Sequence, residues 1–225
     1  MTLSRPIVVR TLPFALFLVF ILVRNLLGDW APDAIDIRLI YPVKTLLVGG
    51  LLIYLARDYT ELRHPPSSRA WLWLWAPLAG VAVFVLWINL DQGWLNLGNG
   101  GFVYDPRDPL THQIQWWLAG FRLAGAAIVV PFMEELFWRS FLMRWIDHHD
   151  FLALAPAAVS LRAVAISSLI FGFEHGLWFA GILAGLAYAW LYRASGSVWP
   201  PIVAHAVTNG LLGIWVLGTG KWQFW

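Results

Sequence analysis

Val130-Pro131-Phe132-Met133-Glu134-Glu135-Leu136-Phe137-Trp138-Arg139 sets two adjacent carboxylates and a guanidinium inside a segment otherwise apolar enough for a bilayer. A charged side chain at the middle of a membrane costs at least about 2.5–3.5 kcal/mol, so three within six positions need partners or a chemical role. On an α-helix Glu135 and Arg139 lie one turn apart with the acid N-terminal, the favourable order for an ion pair. Glu134 then points about 100° away around the helix and is available to face a bundle interior. His175 and His205 sit in similarly apolar surroundings and are candidates to meet it there.

The rest of the chain suits that setting. Its 225 residues are 60% hydrophobic and 12% charged, whereas soluble domains run nearer a quarter charged. The apolar runs are long enough to cross a bilayer several times, and 16 tryptophans suit aromatic belts at both headgroup layers. A net charge of +2 from scattered basic residues gives no nucleic-acid footprint. The absence of cysteine removes disulfides, a thiol nucleophile, thiolate metal sites and sulfur-linked lipid anchors.

The predicted fold is all-α, a polytopic transmembrane bundle of about seven spans, six to eight. Residues 1–225 read as one membrane domain, with N-terminal spans and an outer loop over 1–113 and a catalytic helical core over 114–225. The spans are expected near Pro6–Leu27, Leu39–Ala56, Trp71–Leu90, Gln115–Trp145, Ala158–Phe173, Leu177–Tyr192 and Trp199–Leu217. No A-x-A-like cleavage pattern follows the first, so it is read as retained. The fourth, about 30 residues, calls for tilt or a break at Pro131. Gly181 and Gly185 form a GxxxG step that suits either close helix packing or no special role. Asp29, Asp33 and Asp36 mark one loop and Arg57, Arg63, Pro65, Pro66 and Arg69 the next; the Asp91–Gln113 stretch is a lid or a connector. Basic loops alternate with acidic or neutral ones, which places the N-terminus in the cytoplasm.

Two further elements carry chemistry. His205 and Asn209 share a helical face, as do Phe171 and His175. Paired N–H donors suit an oxyanion, although polar residues in membrane bundles also tie helices together. His175 beside a carboxylate could share the proton of a bound water, or be a satisfied core residue against Phe171. Glu174 receives no role.

Glu134-Glu135-x-x-x-Arg139, Phe171-x-x-x-His175 and His205-x-x-x-Asn209, in that order on separate spans, resemble the three motifs of the CPBP family, which includes the type II CAAX prenyl endopeptidases and Abi-type membrane proteins. The resemblance covers about Gln115 to Leu217; small size and tryptophan richness also resemble the bacterial CAAX-protease-related proteins found beside exosortase systems. It implies an intramembrane glutamate protease of the bacterial plasma membrane, acting on a membrane-anchored protein or peptide with no cofactor. Glu134 would be the general base, His175 its partner on the water, and His205 and Asn209 the oxyanion donors. Glu135, Arg139 and Phe171 would support them. A zinc site built from Glu134, His175 and His205, a transporter, and a scaffold that keeps the motifs unused are the other readings of the same residues.

Overall fold

The computed structural model describes residues 4–28, 36–64, 71–98 and 103–225. Asp29, Asp33, Pro65, Pro66 and Arg69, which mark two of the expected loops, lie outside the described residues. Seven helices follow in order: α1 (Arg5–Gly28), α2 (Ile40–Tyr54), α3 (Trp71–Asn89), α4 (Trp116–Trp145), α5 (Leu161–Phe173), α6 (Trp178–Ser195) and α7 (Trp199–Thr219). Five stretches, Arg5–Leu27, Ile37–Tyr54, Trp71–Asn89, Trp116–Trp145 and Trp199–Thr219, are long and apolar enough to cross a membrane. The chain is a helical membrane protein, and among the described residues no strand is formed.

Helix α4 stays continuous through Pro131, so of the expected tilt or break the break does not occur. The helix widens instead into π-turns over Gly125–Val129 and Leu136–Leu142, with the two glutamates in the ordinary α-turn between them. A proline ring collides with the carbonyl one turn back, and a widened turn relieves that crowding without ending the helix.

Helix α5 is the shortest of the seven. A 3₁₀ turn at Pro156–Ala158 delays its start to Leu161, where Ser160 caps it by accepting from the Ala163 N–H at 3.1 Å. Its 13 residues span only about 20 Å. The Ser160 backbone N–H and hydroxyl both donate to the Asp147 carboxylate, at 2.6 and 2.7 Å, so the beginning of α5 is pinned to the end of α4. From that pin Glu134 lies about as far back along α4 as His175 lies forward along α5. Both side chains accordingly reach one cavity.

Close approach of backbones fixes the rest. A Cβ on Gly172 of α5 would lie 2.4 Å from Ile182 Cγ1 of α6, and one on Gly181 would lie 2.9 Å from the Gly172 Cα. The Gly181–Gly185 step is therefore a packing face. At the α3–α7 contact, a Cβ on Gly80 would meet the Ala204 carbonyl at 2.4 Å, and the Thr208 hydroxyl donates to the Gly80 carbonyl at 2.9 Å. Just after α3, Leu97 N–H donates to the Gly176 carbonyl at 2.9 Å, and the Trp178 indole to the Trp94 carbonyl at 2.9 Å, which ties this stretch to the start of α6.

At the opposite end, Arg10 of α1 is almost fully buried and pairs with Glu61 at 2.5 Å, while the Ser140 hydroxyl of α4 also donates to Glu61. Burial pushes the Glu61 carboxyl up, but the Arg10 guanidinium and the Ser140 hydroxyl outweigh it and hold the group below the ordinary glutamate value. A depressed carboxyl stabilises the fold above its unfolded value, about 4.3, and that contribution is lost as pH falls through the folded value. Glu61→Gln should lower stability at neutral pH by about 3 kcal/mol or more, because Arg10 is left buried without its charge partner. It should also flatten the loss of melting temperature below about pH 4.3, as read by thermal unfolding in detergent at stepped pH.

Candidate active site

Glu135 has no solvent exposure and sits at the centre of four helices. Its Oε1 accepts from His205 Nδ1 of α7 at 2.8 Å, and Arg139 Nε approaches its Oε2 at 3.1 Å, close enough for an ion pair although the N–H is not aligned as a hydrogen bond. The Arg139 guanidinium lies over the Phe171 ring of α5 at 4.6 Å and the Tyr188 ring of α6 at 5.4 Å. The ion pair expected from the spacing is present, and His205 joins it. A carboxylate can only accept, so His205 Nδ1 carries the hydrogen and Nε2 is left as its other ring atom. Tyr188 stacks on the imidazole, with ring centroids 5.0 Å apart, and holds its plane.

Pro131 creates the position of Asn209. The Val130 N–H bonds to the Gly125 carbonyl, in π register, and the next possible donor to Ala126 would be residue 131, a proline without an N–H. The Ala126 carbonyl is thereby orphaned inside the membrane, and Asn209 Nδ2 donates to it at 2.9 Å. An amide nitrogen has two hydrogens, so one remains for a second partner.

His175 is set by the same economy. At the end of α5 the His175 N–H turns back to the Gly172 carbonyl and the Glu174 N–H to Ile170, which leaves the Phe171 carbonyl among the unpaired terminal acceptors. His175 Nδ1 lies 2.8 Å from that carbonyl and donates to it. Its Nε2 therefore bears the lone pair. Phe171 and Trp87 flank the ring, at centroid distances of 4.8 and 5.3 Å.

Glu134, Phe171, Glu174, His175, His205 and Asn209 all line one cavity of about 410 Å³. Glu134 is 4% exposed, and its Oε2 has no hydrogen-bond partner. Glu135 and Arg139 lie behind the wall. Glu174 does not replace Glu135 as a partner of Arg139 or of either histidine. Among the described residues no three His, Cys, Asp or Glu side chains group closely enough to hold a metal ion, so Glu134, His175 and His205 are not arranged as a ligand set. A second cavity of about 560 Å³ shares Trp87, Arg122, Glu174 and His175 with the first and runs out between Asp91, Asn96 and Gln223.

Two cationic residues in the wall escaped the motif reading. Lys44 of α2 is 8% exposed, with its ammonium 3.9 Å above the Phe17 ring and 4.5 Å from the Tyr41 ring; Arg122 of α4 lies 4.5 Å over Tyr41. Such contacts return only about 0.5–2 kcal/mol each against the cost of a charge in the membrane. The signal was available: each is an isolated basic residue in an apolar span, judged by the same rule that singled out Glu134.

Residues 115–211 match the family model described as Type II CAAX prenyl endopeptidase Rce1-like. This segment belongs to that family. The Rce1-like core runs from the start of α4 through most of α7 and contains every residue of the three motifs, while Lys44 lies outside it. The match supports, in general terms, a CAAX-type intramembrane endopeptidase acting on a membrane-associated protein. No curated protein and no solved structure matches the chain.

Asn209→Ala should destabilise the Rce1-like core by about 1–3 kcal/mol, the cost of an orphaned buried carbonyl. Pro131→Ala restores an N–H that can serve Ala126. The two substitutions together should cost less than their sum, and a double-mutant cycle of thermal unfolding in nanodiscs measures the coupling.

Proposed function

We propose that this endopeptidase hydrolyses its peptide bond with a water activated by Glu134, needs no metal or other cofactor, and acts in a bacterial plasma membrane. The observation that carries the reading is the pairing of an unpartnered Glu134 oxygen with a His175 ring whose Nδ1 is committed to the Phe171 carbonyl, in one cavity.

Water held between Glu134 and His175 Nε2 gives one proton to Glu134 as its oxygen bonds to the substrate carbonyl carbon, and the carbonyl electron pair moves onto oxygen. His205, as an imidazolium with Nδ1–H on Glu135, and the second Asn209 N–H donate to that oxyanion; a donor of this kind is worth about 3–4 kcal/mol in a water-poor site. Collapse breaks the C–N bond, and the proton on Glu134 passes to the leaving amine. Glu135 keeps the His205 ring oriented throughout, and Arg139 and Phe171 hold Glu135 and His175 in place.

Orientation follows from charge. Arg5, Arg10, Arg57, Arg63, Arg144, Arg162 and Arg193 cluster at one end of the bundle, which supports a cytoplasmic N-terminus. The loops at the other end, with Asp91 and Asn96, line the second cavity, which supports an active site that opens to the extracytoplasmic side.

Glu134→Gln should leave a folded protein that has lost activity by at least about 10²-fold. Comparison of membrane-proteome termini from cells carrying each form, with and without chelator, reads this. New termini confined to the wild type and indifferent to chelator are expected, and identical termini at equal expression would overturn the assignment. The chain has no cysteine, so single cysteines report topology cleanly. Asn96→Cys should react with an impermeant maleimide in intact cells and Arg162→Cys only after lysis; the reverse pattern would invert the orientation.

A further inference from the structure

Glu174 is the one acidic side chain among the described residues that lines both cavities. Glu134 lines only the catalytic chamber and Asp91 only the second cavity. Glu174 is exposed where it stands, just past the end of α5, with its backbone N–H donated to the Ile170 carbonyl. A carboxylate is an unfavourable neighbour for a helix C-terminus, because the last carbonyls already carry partial negative charge. When ionised it also repels Glu134 within the same chamber. Arg139 attracts it, but that guanidinium is paired with Glu135, and the Trp138 indole beside it makes no aligned hydrogen bond. Stability gives no reason for an acid at this point; its position between the two cavities does.

The proteolytic reaction creates a need for such a group. The attacking water brings two protons: one passes through Glu134 to the leaving amine, and the other stays on the new carboxyl group when the C–N bond breaks. Loss of that second proton turns the product into an anion beside the regenerated Glu134 carboxylate, and repulsion favours its departure. The other polar groups of the chamber are unsuited to carrying it. His175 Nδ1 is committed to the Phe171 carbonyl, so the ring has only Nε2 to accept and release from. His205 Nδ1 is likewise held by Glu135, Lys44 does not line the second cavity, and the Arg122 guanidinium stays protonated. A carboxylate has two oxygens, so it takes a proton on one and gives it up from the other.

We propose that Glu174 is the proton relay of this active site, carrying the product proton from the catalytic chamber to the second cavity. This deepens the proteolytic reading and rests on it. The O–H bond of the product acid breaks, its electron pair stays on the product carboxylate, and an O–H bond forms on Glu174 through water in the chamber. Glu174 then releases the proton to water of the second cavity, where buffer or the departed amine takes it up, and is again a carboxylate for the next turnover.

The test uses the full chain in detergent, incubated with solubilised membrane proteins from cells that lack it. Isotope labelling of new protein N-termini reads the initial rate per folded molecule, in imidazole buffer raised from dilute to concentrated at constant pH and ionic strength. Constant pH leaves the ionisation of Glu134, Asp91, His175, His205 and Lys44 unchanged, and the second cavity, about 560 Å³, admits imidazole as a substitute carrier. The wild-type rate should be indifferent to buffer concentration. Glu174→Gln should be slower by at least about ten-fold in dilute buffer and recover as imidazole rises. Glu174→Asp, which keeps a carboxyl group, should stay near the wild type, and Glu174→Ala gives the same reading as Glu174→Gln should the latter not fold. A Glu174→Gln rate equal to the wild type in dilute buffer overturns the relay alone. So does a slow rate that buffer does not raise, which is what a merely structural role gives. No wild-type termini above the Glu134→Gln background overturns proteolysis, and the relay with it.

Discussion

The Glu135 carboxylate is the interaction on which the core depends. It is wholly buried on α4, accepts from His205 on α7, and fixes Arg139, whose guanidinium covers rings on α5 and α6. Removing one partner of such a set strands a charge in the bundle, at about 3–5 kcal/mol, so all four helices are held to one arrangement. The same commitment defines its neighbour. Glu134 lies about 100° around the helix from Glu135 and faces the cavity with an unpartnered oxygen. Two identical side chains in sequence thus divide into one that binds the fold together and one left available for chemistry.

Inside a membrane every backbone polar group needs a protein partner, and the site is built from the exceptions. Pro131 strips Ala126 of its donor, and Asn209 supplies one. The end of α5 strands the Phe171 carbonyl, and His175 supplies another. Each side chain enters the cavity wall with one polar group already spent on the backbone. That expenditure orients what remains: the second Asn209 N–H and the His175 Nε2 lone pair. The π-turns on both sides of the glutamates belong to the same logic, since a widened turn changes which carbonyls go unserved.

This explains why some of the site was legible in the chain and some was not. Spacing along one helix is local, so the Glu135–Arg139 pair, the shared face of Phe171 and His175 and that of His205 and Asn209 follow from 3.6 residues per turn. The long spans follow from uninterrupted hydropathy, and all seven expected spans agree with the helices within about three residues at each end. The depth of His175 does not follow, because it depends on hydrogen bonds from Ser160 to Asp147 across a turn that reads as a break between spans. The role of Pro131 also needed the fold: a proline predicts a missing donor, but only the packing of α7 reveals who replaces it. Lys44 was visible as an isolated charge, yet nothing near it in the chain says that α2 leans on Gly125 and brings it into the same chamber as Glu134.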